Sequence, residues 1–307
     1  MDMTIEKARD RTRTVRVDGA GLYVQEFGNF DGPVLVLVHG WPDTHHLWDA
    51  VVPLLTDKFH VVTYDTRGHG ESFGDGTVTE MTLEQLAADF MAVVDAVAGS
   101  IPVHVLAHDW GSVQVWEAIC EPGADTRIAS FTSISGPSLD HMGMWLQSTP
   151  TSPKALWQRL TQLVSGAYTL FFMSGPLSRT FFRMFGRRWI WSLLLRIVER
   201  VDKRNLHVAP TLNRDMVDGL RIYRANVLQK VLRPTERYTH VPVHLLVTRR
   251  DPAIRPASFD GIERWVSRVS RTDVRSGHWL PLKNPALVAA ETTKFVERID
   301  RERTRPR

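Results

Sequence analysis

The chain has 307 residues and a mass of 34.9 kDa, which exceeds one average domain and fits two units or one enlarged α/β domain. With 43% hydrophobic and 23% charged residues, it has the composition of an ordinary globular protein, which excludes disordered, collagen-like and coiled-coil classes. The net charge of +4 is unevenly distributed, because residues 176–204 hold eight Arg or Lys against two acids.

The sequence predicts a protein of the reducing cytoplasm. The single cysteine, Cys120, excludes an intrachain disulfide and a cysteine-based zinc site. Residues Met1 to Val17 lack the apolar stretch of a signal peptide. The longest apolar cluster, Trp189 to Val198, is interrupted by Ser192 and Arg196 and is shorter than the roughly 20 residues of a membrane span. We therefore expect neither an export signal nor a membrane-spanning helix.

Short β-rich runs alternate with helical patterns, which is typical of a mostly parallel sheet with helices on both faces. The first two runs are joined around Gly19 and Gly21 and predict an opening hairpin. The predicted strands are Thr14 to Asp18, Leu22 to Phe27, Val34 to Val38, Val61 to Asp65, Val103 to Ala107, Ile128 to Ser135, Val243 to Thr248 and Thr272 to Arg275. The expected fold class is therefore α/β, with an eight-stranded sheet.

Two helices carry clear starting signals. Apolar residues from Leu83 to Val97 recur at helical spacing, and Thr82 with Gln85 forms a capping-box pattern at their start. The last helix is predicted to begin at Asn284-Pro285, since Asn is a good N-cap and proline is favoured at the first helical position. The basic residues Arg301 to Arg307 are expected to form a frayed tail.

The alternation of strands and helices stops between about Leu139 and Arg233. This stretch has helical periodicity and many Trp and Phe residues, without a convincing strand. We interpret it as an all-helical cap inserted after the sixth strand. The predicted organisation is a first core part at residues 1–138, a cap at 139–233 and a second core part at 234–307.

The strongest local motif is Ala107-His108-Asp109-Trp110-Gly111, which lies between a predicted strand and a predicted helix. It has the pattern of a nucleophile elbow, with an aspartate at the position where hydrolases usually carry serine. The sharp turn needs small neighbours two positions away on either side, and Ala107 and Gly111 meet that need. The alternative is an ordinary turn in which Asp109 only caps the following helix.

Three other segments place polar groups after predicted strands. His39-Gly40-Trp41-Pro42 follows the third strand, where this kind of fold supplies the second oxyanion amide. Asp251 follows the seventh strand, and His278 lies before the last helix. The order is acid nucleophile, acid and histidine, all at the carboxyl edge of the sheet, where ligands bind in open α/β folds. Asp140, after the sixth strand, is the alternative acid, although the context of Asp251 favours Asp251.

These motifs resemble the α/β-hydrolase epoxide hydrolases, and in particular the hydrolase domain of mycobacterial proteins of the epoxide hydrolase D type. The resemblance extends over residues 15–298. In that relative a reductase-like domain follows, and none is expected here, so no nicotinamide chemistry is carried over. The residues that carry the resemblance are His39-Gly40-Trp41-Pro42, Asp65-Thr66-Arg67-Gly68-His69-Gly70-Glu71-Ser72, His108-Asp109-Trp110-Gly111, Tyr223-Arg224-Ala225-Asn226 and Gly277-His278-Trp279.

An aspartate nucleophile selects the chemistry. A carboxylate is already anionic and displaces a leaving group from sp³ carbon, so Asp109 indicates alkyl transfer rather than acyl transfer. His278, oriented by Asp251, is then expected to activate the water that hydrolyses the ester. The backbone N–H groups of Trp41 and Trp110 are expected to hold the oxyanion of that second step.

The resemblance also implies two cap tyrosines that donate a proton to the epoxide oxygen. Tyr223, in Tyr-Arg-Ala-Asn, matches one position well, and Tyr168 matches the other more loosely. The alternative for both is packing of an amphipathic aromatic ring under the cap. The same motifs assign His39, Pro42, His108 and Trp279 to substrate binding. No cofactor and no metal is expected, because the adjacent histidines at 45 and 46 lack the spacing and partners of a zinc site.

Two other functions stay open at this point. A haloalkane dehalogenase has the same fold and nucleophile, and Trp110 fits a halide ligand; the tyrosine pair favours the epoxide instead. The second alternative, of a different class, is a catalytically silent ligand-binding protein that retains the fold.

The expected partner is a small apolar epoxide, with a lipid-derived one among the candidates. Four arginines at 179, 183, 187 and 188 precede the apolar residues Trp189 to Leu195, and two hypotheses compete for them. In one, the arginines form the solvated side of the cap. In the other, a basic amphipathic surface lies on anionic lipid at the inner face of the membrane. Nucleic-acid binding is not expected, since a pI near 9.4 comes without a binding motif. A homodimer is left open.

Overall fold

The computed structural model describes residues 10–74 and 76–304 of the chain, and in them eight strands form one sheet. The order is β1-β2-β4-β3-β5-β6-β7-β8; β1 and β4 each pair antiparallel to β2, and every other pairing is parallel. The predicted eight-stranded, mostly parallel sheet is therefore confirmed. The strands are Arg11–Val17 (β1), Ala20–Gly28 (β2), Val34–Val38 (β3), His60–Tyr64 (β4), Val103–His108 (β5), Ile128–Ile134 (β6), Val243–Thr248 (β7) and Val269–Val274 (β8).

The central strands are buried on both faces, as the apolar runs predict. In β3, Val36 and Val38 point into one core cluster, and Leu35 and Leu37 point into another on the opposite face, because successive strand side chains alternate. The sheet thus separates two layers of apolar packing.

The described residues form ten α-helices, and six of them lie between β6 and β7. The helices are Leu83–Ala98 (α1), Trp110–Ile119 (α2), Leu139–Gln147 (α3), Pro153–Gly166 (α4), Tyr168–Met173 (α5), Pro176–Phe185 (α6), Arg188–Leu194 (α7), Leu212–Leu232 (α8), Leu280–Lys283 (α9) and Pro285–Thr304 (α10). A π-helical turn, Leu195–Glu199, follows α7 directly.

Helices α1 and α2 pack on one face of the sheet, and α10 packs on the other. The segment from α3 to α8 forms the all-helical insertion that the sequence indicates, and 139–233 contains no strand. The exact division into core and cap at residues 139 and 233 stays a prediction. No helix within the described ranges has the length and hydropathy to cross a membrane.

The predicted caps are present, with one difference. The hydroxyl of Thr82 accepts the backbone N–H of Gln85 at 3.4 Å, but the Gln85 side chain donates to Asp89 instead of completing a capping box. Asn284 accepts the N–H of Leu287 at 3.2 Å at the start of α10.

The sequence predictions for the two ends of the chain concern residues that the structure describes only in part. Helix α10 continues to Thr304, so the expectation of a frayed tail from Arg301 onwards is wrong for its first four residues, and 305–307 lie outside the described residues. At the other end, the segment without a signal-peptide pattern runs from Met1 to Val17, and residues 1–9 of it also lie outside the described residues.

The last strand begins earlier than predicted, at Val269 instead of Thr272. It is the edge strand of the sheet, so its residues alternate between half-buried and exposed positions and include Ser270 and Arg271. Residues 269–271 therefore do not form an apolar run, and the sequence pattern did not indicate that the strand begins at Val269.

The parallel strands bring the motif loops to one edge of the sheet. The loop with Trp41 follows β3, Asp109 follows β5, Asp251 follows β7 and His278 follows β8. The candidate site is built from these four loops and from cap residues.

Candidate active site

Asp109 occupies a strained turn between β5 and α2, with φ of 52° and ψ of −129°. A conformation of this kind costs a non-glycine residue on the order of 1–3 kcal/mol and is typical of functional sites. The turn is crowded: a Cβ on Gly111 would overlap the carbonyl of His39, and a Cβ on Gly136 would overlap the carbonyl of Asp109. The Asp109 side chain makes no capping bond to α2, which excludes the interpretation of Asp109 as a simple helix cap.

Both carboxylate oxygens of Asp109 have a partner. The backbone N–H of Trp41 donates to Oδ1 at 3.0 Å, and Nε2 of His278 lies 3.3 Å from Oδ2. The backbone nitrogen of Trp110 is also close, since a Cβ on Gly40 would lie 2.6 Å from it and would overlap Oδ1 of Asp109. Gly40 therefore leaves the space in which the carboxylate and the two amides meet.

Asp251 holds the other side of the His278 ring. Its Oδ2 lies 2.9 Å from Nδ1 of His278, while Oδ1 accepts the backbone N–H groups of Ala253 at 2.8 Å and Ile254 at 3.0 Å. Burial alone would raise the pKa of Asp251, but the charge and hydrogen bond of His278 and these backbone donors bring the pKa below its usual value. Asp251 is therefore a carboxylate that favours a charged partner.

The alternative acid lies elsewhere. Asp140, in the first turn of α3, accepts the backbone N–H of Thr235 at 2.8 Å and lies 3.5 Å from Nζ of Lys230. The contact with Thr235 joins the cap to the segment that leads back into the core. The geometry therefore places Asp251, and not Asp140, against His278.

His278 lies between two carboxylates. Burial alone would lower the pKa of His278. The charge of Asp251 and the hydrogen bond to Asp109, together with the hydrogen bond to Asp251 and the charge of Asp109, raise this pKa well above its usual value. The resting site therefore favours the imidazolium form. Loss of the negative charge on Asp109 would remove the contribution of one of the two carboxylates that raise the pKa of His278.

The two predicted tyrosines lie on α5 and α8. The Tyr223 ring is buried and packs edge-on against Trp110 and Trp41, with centroid distances of 4.9 and 5.6 Å. Tyr168 lies 6.4 Å from Tyr223 between ring centroids and keeps 37% of its surface exposed. The exposed part of Tyr168 is not its hydroxyl end: burial of the hydroxyl first, and the charge of Asp109 after it, raise the pKa of Tyr168. Burial also raises the pKa of Tyr223 well above its usual value. Both phenols are therefore held in the neutral form that is able to donate a proton.

Two residues predicted to bind substrate belong to the framework instead. His39 is fully buried; its Nε2 accepts the N–H of Thr66 and its Nδ1 donates to the carbonyl of Gly40, both at 2.9 Å. His108 is also fully buried, and its Nε2 donates to the carbonyl of His278 at 3.0 Å. Burial lowers the pKa of His39 to about 3 and that of His108 to about 4, so both rings are neutral. Their assignment to substrate binding is corrected, because their bonds go to backbone that carries the site.

The other two predicted binding residues lie at the border between core and cap. Pro42 is buried beside Trp191 around a small pocket. Trp279 donates its indole N–H to Oδ2 of Asp43 at 3.0 Å and packs edge-on against Trp191, with centroids 5.2 Å apart. Contact of Pro42 and Trp279 with a substrate stays a prediction.

The sequence interpretation missed two carboxyl groups of the site. Asp43 follows Pro42, and burial raises its pKa to about 7 despite the bond from Trp279. Glu199 ends the π-helical turn, is 4% exposed and accepts the backbone N–H of His278 at 3.2 Å. One sequence signal existed for Glu199, since it is the first acid after Asp140 in a long basic and apolar stretch. Its contact with His278 crosses 79 positions and has no local pattern.

Comparison with known proteins agrees with this fold. Residues 33–285 match the family model of the alpha/beta hydrolase fold. The chain is 37% identical over 292 residues to a Mycobacterium tuberculosis protein named probable oxidoreductase EphD. The matched region covers 92% of this chain and 49% of that protein. It is also 36% identical over 128 residues to epoxide hydrolase A of M. tuberculosis, over 41% of this chain and 39% of that protein.

One solved structure, an epoxide hydrolase of Bacillus megaterium in complex with an inhibitor, superposes with a TM-score of 0.74. The superposition covers 93% of this chain and 100% of the B. megaterium chain, at 19% sequence identity. This similarity establishes likeness of fold. Two relatives match this chain over most of its length, EphD and the pig bifunctional epoxide hydrolase 2. The chain spans only about half the length of each of them.

Proposed function

The chain belongs to the alpha/beta hydrolase fold family, and within that family we propose that it is an epoxide hydrolase that opens an epoxide to a vicinal diol. The observation that carries the proposal is the environment of Asp109. One carboxylate oxygen faces the N–H of Trp41 and the other lies 3.3 Å from Nε2 of His278. The ring of Tyr223 packs against both Trp41 and Trp110, the two residues whose amides lie at Asp109.

In the first step, the carboxylate of Asp109 attacks one carbon of the epoxide. The carbon–oxygen bond of the ring breaks, and its electron pair stays on the oxygen. A phenol of Tyr168 or Tyr223 donates a proton to that oxygen, which becomes the first hydroxyl of the product. The neutral state of both phenols supports this role, because their raised pKa values keep the proton on the ring until the alkoxide develops.

In the second step, His278 removes a proton from water, and the hydroxide attacks the carboxyl carbon of the new ester. The N–H groups of Trp41 and Trp110 stabilise the oxyanion. Its collapse breaks the ester bond to the product oxygen, which takes the proton of the added hydroxyl and leaves as the diol. The carboxylate of Asp109 and the protonated His278 are then restored. Esterification removes the charge of Asp109, one of the causes that raise the pKa of His278. Alkylation thus lowers the pKa of His278, which passes its proton to the phenolate left by the first step and becomes the base that the second step needs. Asp251 keeps the ring oriented throughout.

No resident cofactor takes part in these steps. An apolar substrate is favoured by the aromatic surroundings of the site: the ring of Phe172 lies 5.0 Å from both Trp41 and Tyr223. We include lipid-derived epoxides in this substrate class.

A haloalkane dehalogenase is the second candidate, and one observation weighs against it. Halide stabilisation in such a site uses N–H donors around the leaving group, and Trp110 is a suitable one. The indole N–H of Trp41, however, donates to the carbonyl of Met216 at 3.2 Å. The engaged indole and the two phenols together favour an oxygen leaving group over a halide. A catalytically silent ligand-binding protein is the third candidate.

Intact-protein mass spectrometry of His278→Gln tests the proposal, with an aryl epoxide and an alkyl bromide as parallel probes. Loss of the base blocks ester hydrolysis and spares the alkylation of Asp109. We expect a mass increase equal to the whole epoxide, and no increase in a matched Asp109→Asn variant. An adduct from the bromide alone, without the halogen, would assign the protein to the dehalogenases. No adduct from either probe or from long-chain epoxides, in a folded protein, would favour the silent alternative.

A further inference from the structure

Helix α4 turns its apolar side outwards. Trp157 and Val164 are 67% and 77% exposed, and Leu160 and Leu163 complete the same stripe at helical spacing. The buried side carries Gln162, whose side chain donates to the carbonyl of Ala253 and accepts the N–H of residue 255. A solvated helix of a globular protein has the opposite arrangement, so the outer side of α4 lacks its expected cover.

Helices α6 and α7 repeat this inversion. In α6, Leu177, Phe181 and Phe185 are exposed at helical spacing, and after it Trp189 and Ile197 are both 66% exposed. Apolar side chains at single exposed positions are normal, but apolar outer stripes on three of the six inserted helices indicate an interaction surface. We call these outer stripes together the cap face and define it by Trp157, Val164, Leu177, Phe185, Trp189 and Ile197.

The sequence segment that carries the cap face has ionised side chains of one sign. From His141 to Val198 the sequence contains no Asp or Glu and seven Lys or Arg. Lys154, Arg183 and Arg196 are exposed on the helices of the cap face or on the turn that follows α7, and none of them has an acidic partner among the described residues. Exposed apolar groups surrounded by unpaired cations match a surface that is apolar inside and anionic at its boundary.

We propose that the cap face docks on a membrane surface that contains anionic lipid. Its tryptophans and aliphatic side chains would enter the interface between headgroups and acyl chains, and its bases would lie among the lipid phosphates. A second copy of this chain is a poorer occupant, because a symmetric dimer through this face would oppose the exposed bases Lys154, Arg183 and Arg196 of both copies. Docking does not depend on the reaction proposed for Asp109.

A series of tilted and edge-on aromatic contacts connects the cap face with the candidate site. Phe185 contacts Phe181 at 5.0 Å, Phe181 contacts Phe182 at 5.3 Å, and Phe182 contacts Trp41 at 5.4 Å between centroids. Apolar contacts thus connect the membrane-facing surface with the residue whose amide faces Asp109. A role of this connection in the uptake of a lipid-derived epoxide rests on the proposed function, whereas membrane binding does not.

Co-sedimentation with vesicles tests the docking. The full chain is mixed with vesicles of phosphatidylcholine and phosphatidylglycerol (3:1) or of phosphatidylcholine alone, at low and high salt. The test variant is Lys154→Ser/Arg183→Ser/Arg196→Ser. The matched control is Lys294→Ser/Arg16→Ser/Arg275→Ser, which removes the same charges from exposed positions outside the cap.

We expect binding to the anionic vesicles that decreases with salt. Each base near an anionic surface contributes on the order of fivefold in binding, so the test variant is expected to lose at least about tenfold. The control is expected to bind within about twofold of the wild type. No binding at low salt, or equal losses in test and control, would overturn the proposal.

A second measurement locates the contact independently of charge. Brominated acyl chains quench tryptophans that enter the interface, and we expect this quenching to decrease in Trp157→Phe and in Trp189→Phe. Trp116→Phe is the control, because Trp116 is buried in the core. Unchanged quenching in both cap variants, or self-association without lipid that Trp157→Ser/Leu160→Ser abolishes, would assign the cap face to another partner and overturn the membrane proposal.

Discussion

The backbone N–H of His278 donates to Oε1 of Glu199 at 3.2 Å, while the ring of the same histidine is held by Asp251 at 2.9 Å. Glu199 belongs to the insertion after β6, and Asp251 belongs to the loop after β7. The candidate base is therefore attached at two points, one on the cap and one on the core. A shift of the cap relative to the sheet would change the position of His278.

The first prediction concerns this cap contact. Glu199→Ala leaves the buried N–H of His278 without its acceptor and is expected to lower the free energy of unfolding by about 1–3 kcal/mol. Glu199→Gln retains an acceptor and is expected to recover most of that loss. Because Glu199 and His278 attract one another, the Gln variant should also move the pH profile of turnover to lower pH. Denaturant unfolding and turnover against pH measure both effects.

Gly277 provides a matched check on the same contact. A Cβ on Gly277 would overlap Oε2 of Glu199, so Gly277→Ala is expected to cost about 1–3 kcal/mol of unfolding free energy through overpacking. The cost should be smaller in a Glu199→Ala background, where the space is free. Gly166→Ala is the control, because nothing lies within 4 Å of the new Cβ there. Additive costs for Gly277→Ala and Glu199→Ala would show that Glu199 does not occupy this space.

The sequence predicts those parts of the site whose geometry is local. The turn at Asp109 is visible because its small neighbours are within two positions, and His278 and Asp251 are visible because each follows a strand. Glu199 was missed because its contact is set by how the cap packs on the core. His39 was assigned to substrate because a sequence does not show which atoms its ring nitrogens face; the fold directs both to backbone. Where a role depends on packing between distant segments, composition and spacing carry little information.

The second prediction separates the two candidate acids. Asp251→Asn replaces the carboxylate that orients the ring of His278, and we expect turnover to fall about 10⁴-fold while the protein stays folded. Asp140→Asn weakens contacts to Thr235 and Lys230, so it is expected to lose on the order of 1–2 kcal/mol of stability with turnover nearly unchanged. Steady-state kinetics and thermal unfolding of both variants decide the assignment. The reverse result, in which only Asp140→Asn loses turnover, would show that the proposed acid is wrong.

The third prediction tests the phenols by leaving group. Tyr223→Phe removes a buried hydroxyl and Tyr168→Phe removes its neighbour, and the double variant is expected to reduce epoxide opening by about 10²–10⁴-fold. Alkylation of Asp109 by an alkyl bromide needs no proton donor, so its rate should change by less than about threefold. Single-turnover mass spectrometry in the His278→Gln background measures both rates. Equal losses with both probes would mean that the tyrosines shape the pocket and do not donate protons.

The fourth prediction concerns the charge on His278. Asp109→Asn removes a carboxylate 3.3 Å from Nε2 and leaves Asp251 in place, so the pKa of His278 should fall relative to the wild type. A group whose pKa is raised on folding stabilises the protein fully below its unfolded value near 6.5, and the stabilisation is lost as pH rises through the folded value. The loss should therefore begin at the same pH in both proteins and end at lower pH in Asp109→Asn. Titration of the imidazole nitrogens by ¹⁵N NMR, with unfolding measured at each pH, checks both parts. Asp140→Asn is the control and should leave the His278 titration unmoved. An unchanged or higher pKa in Asp109→Asn would contradict the idea that alkylation of Asp109 is what releases the base.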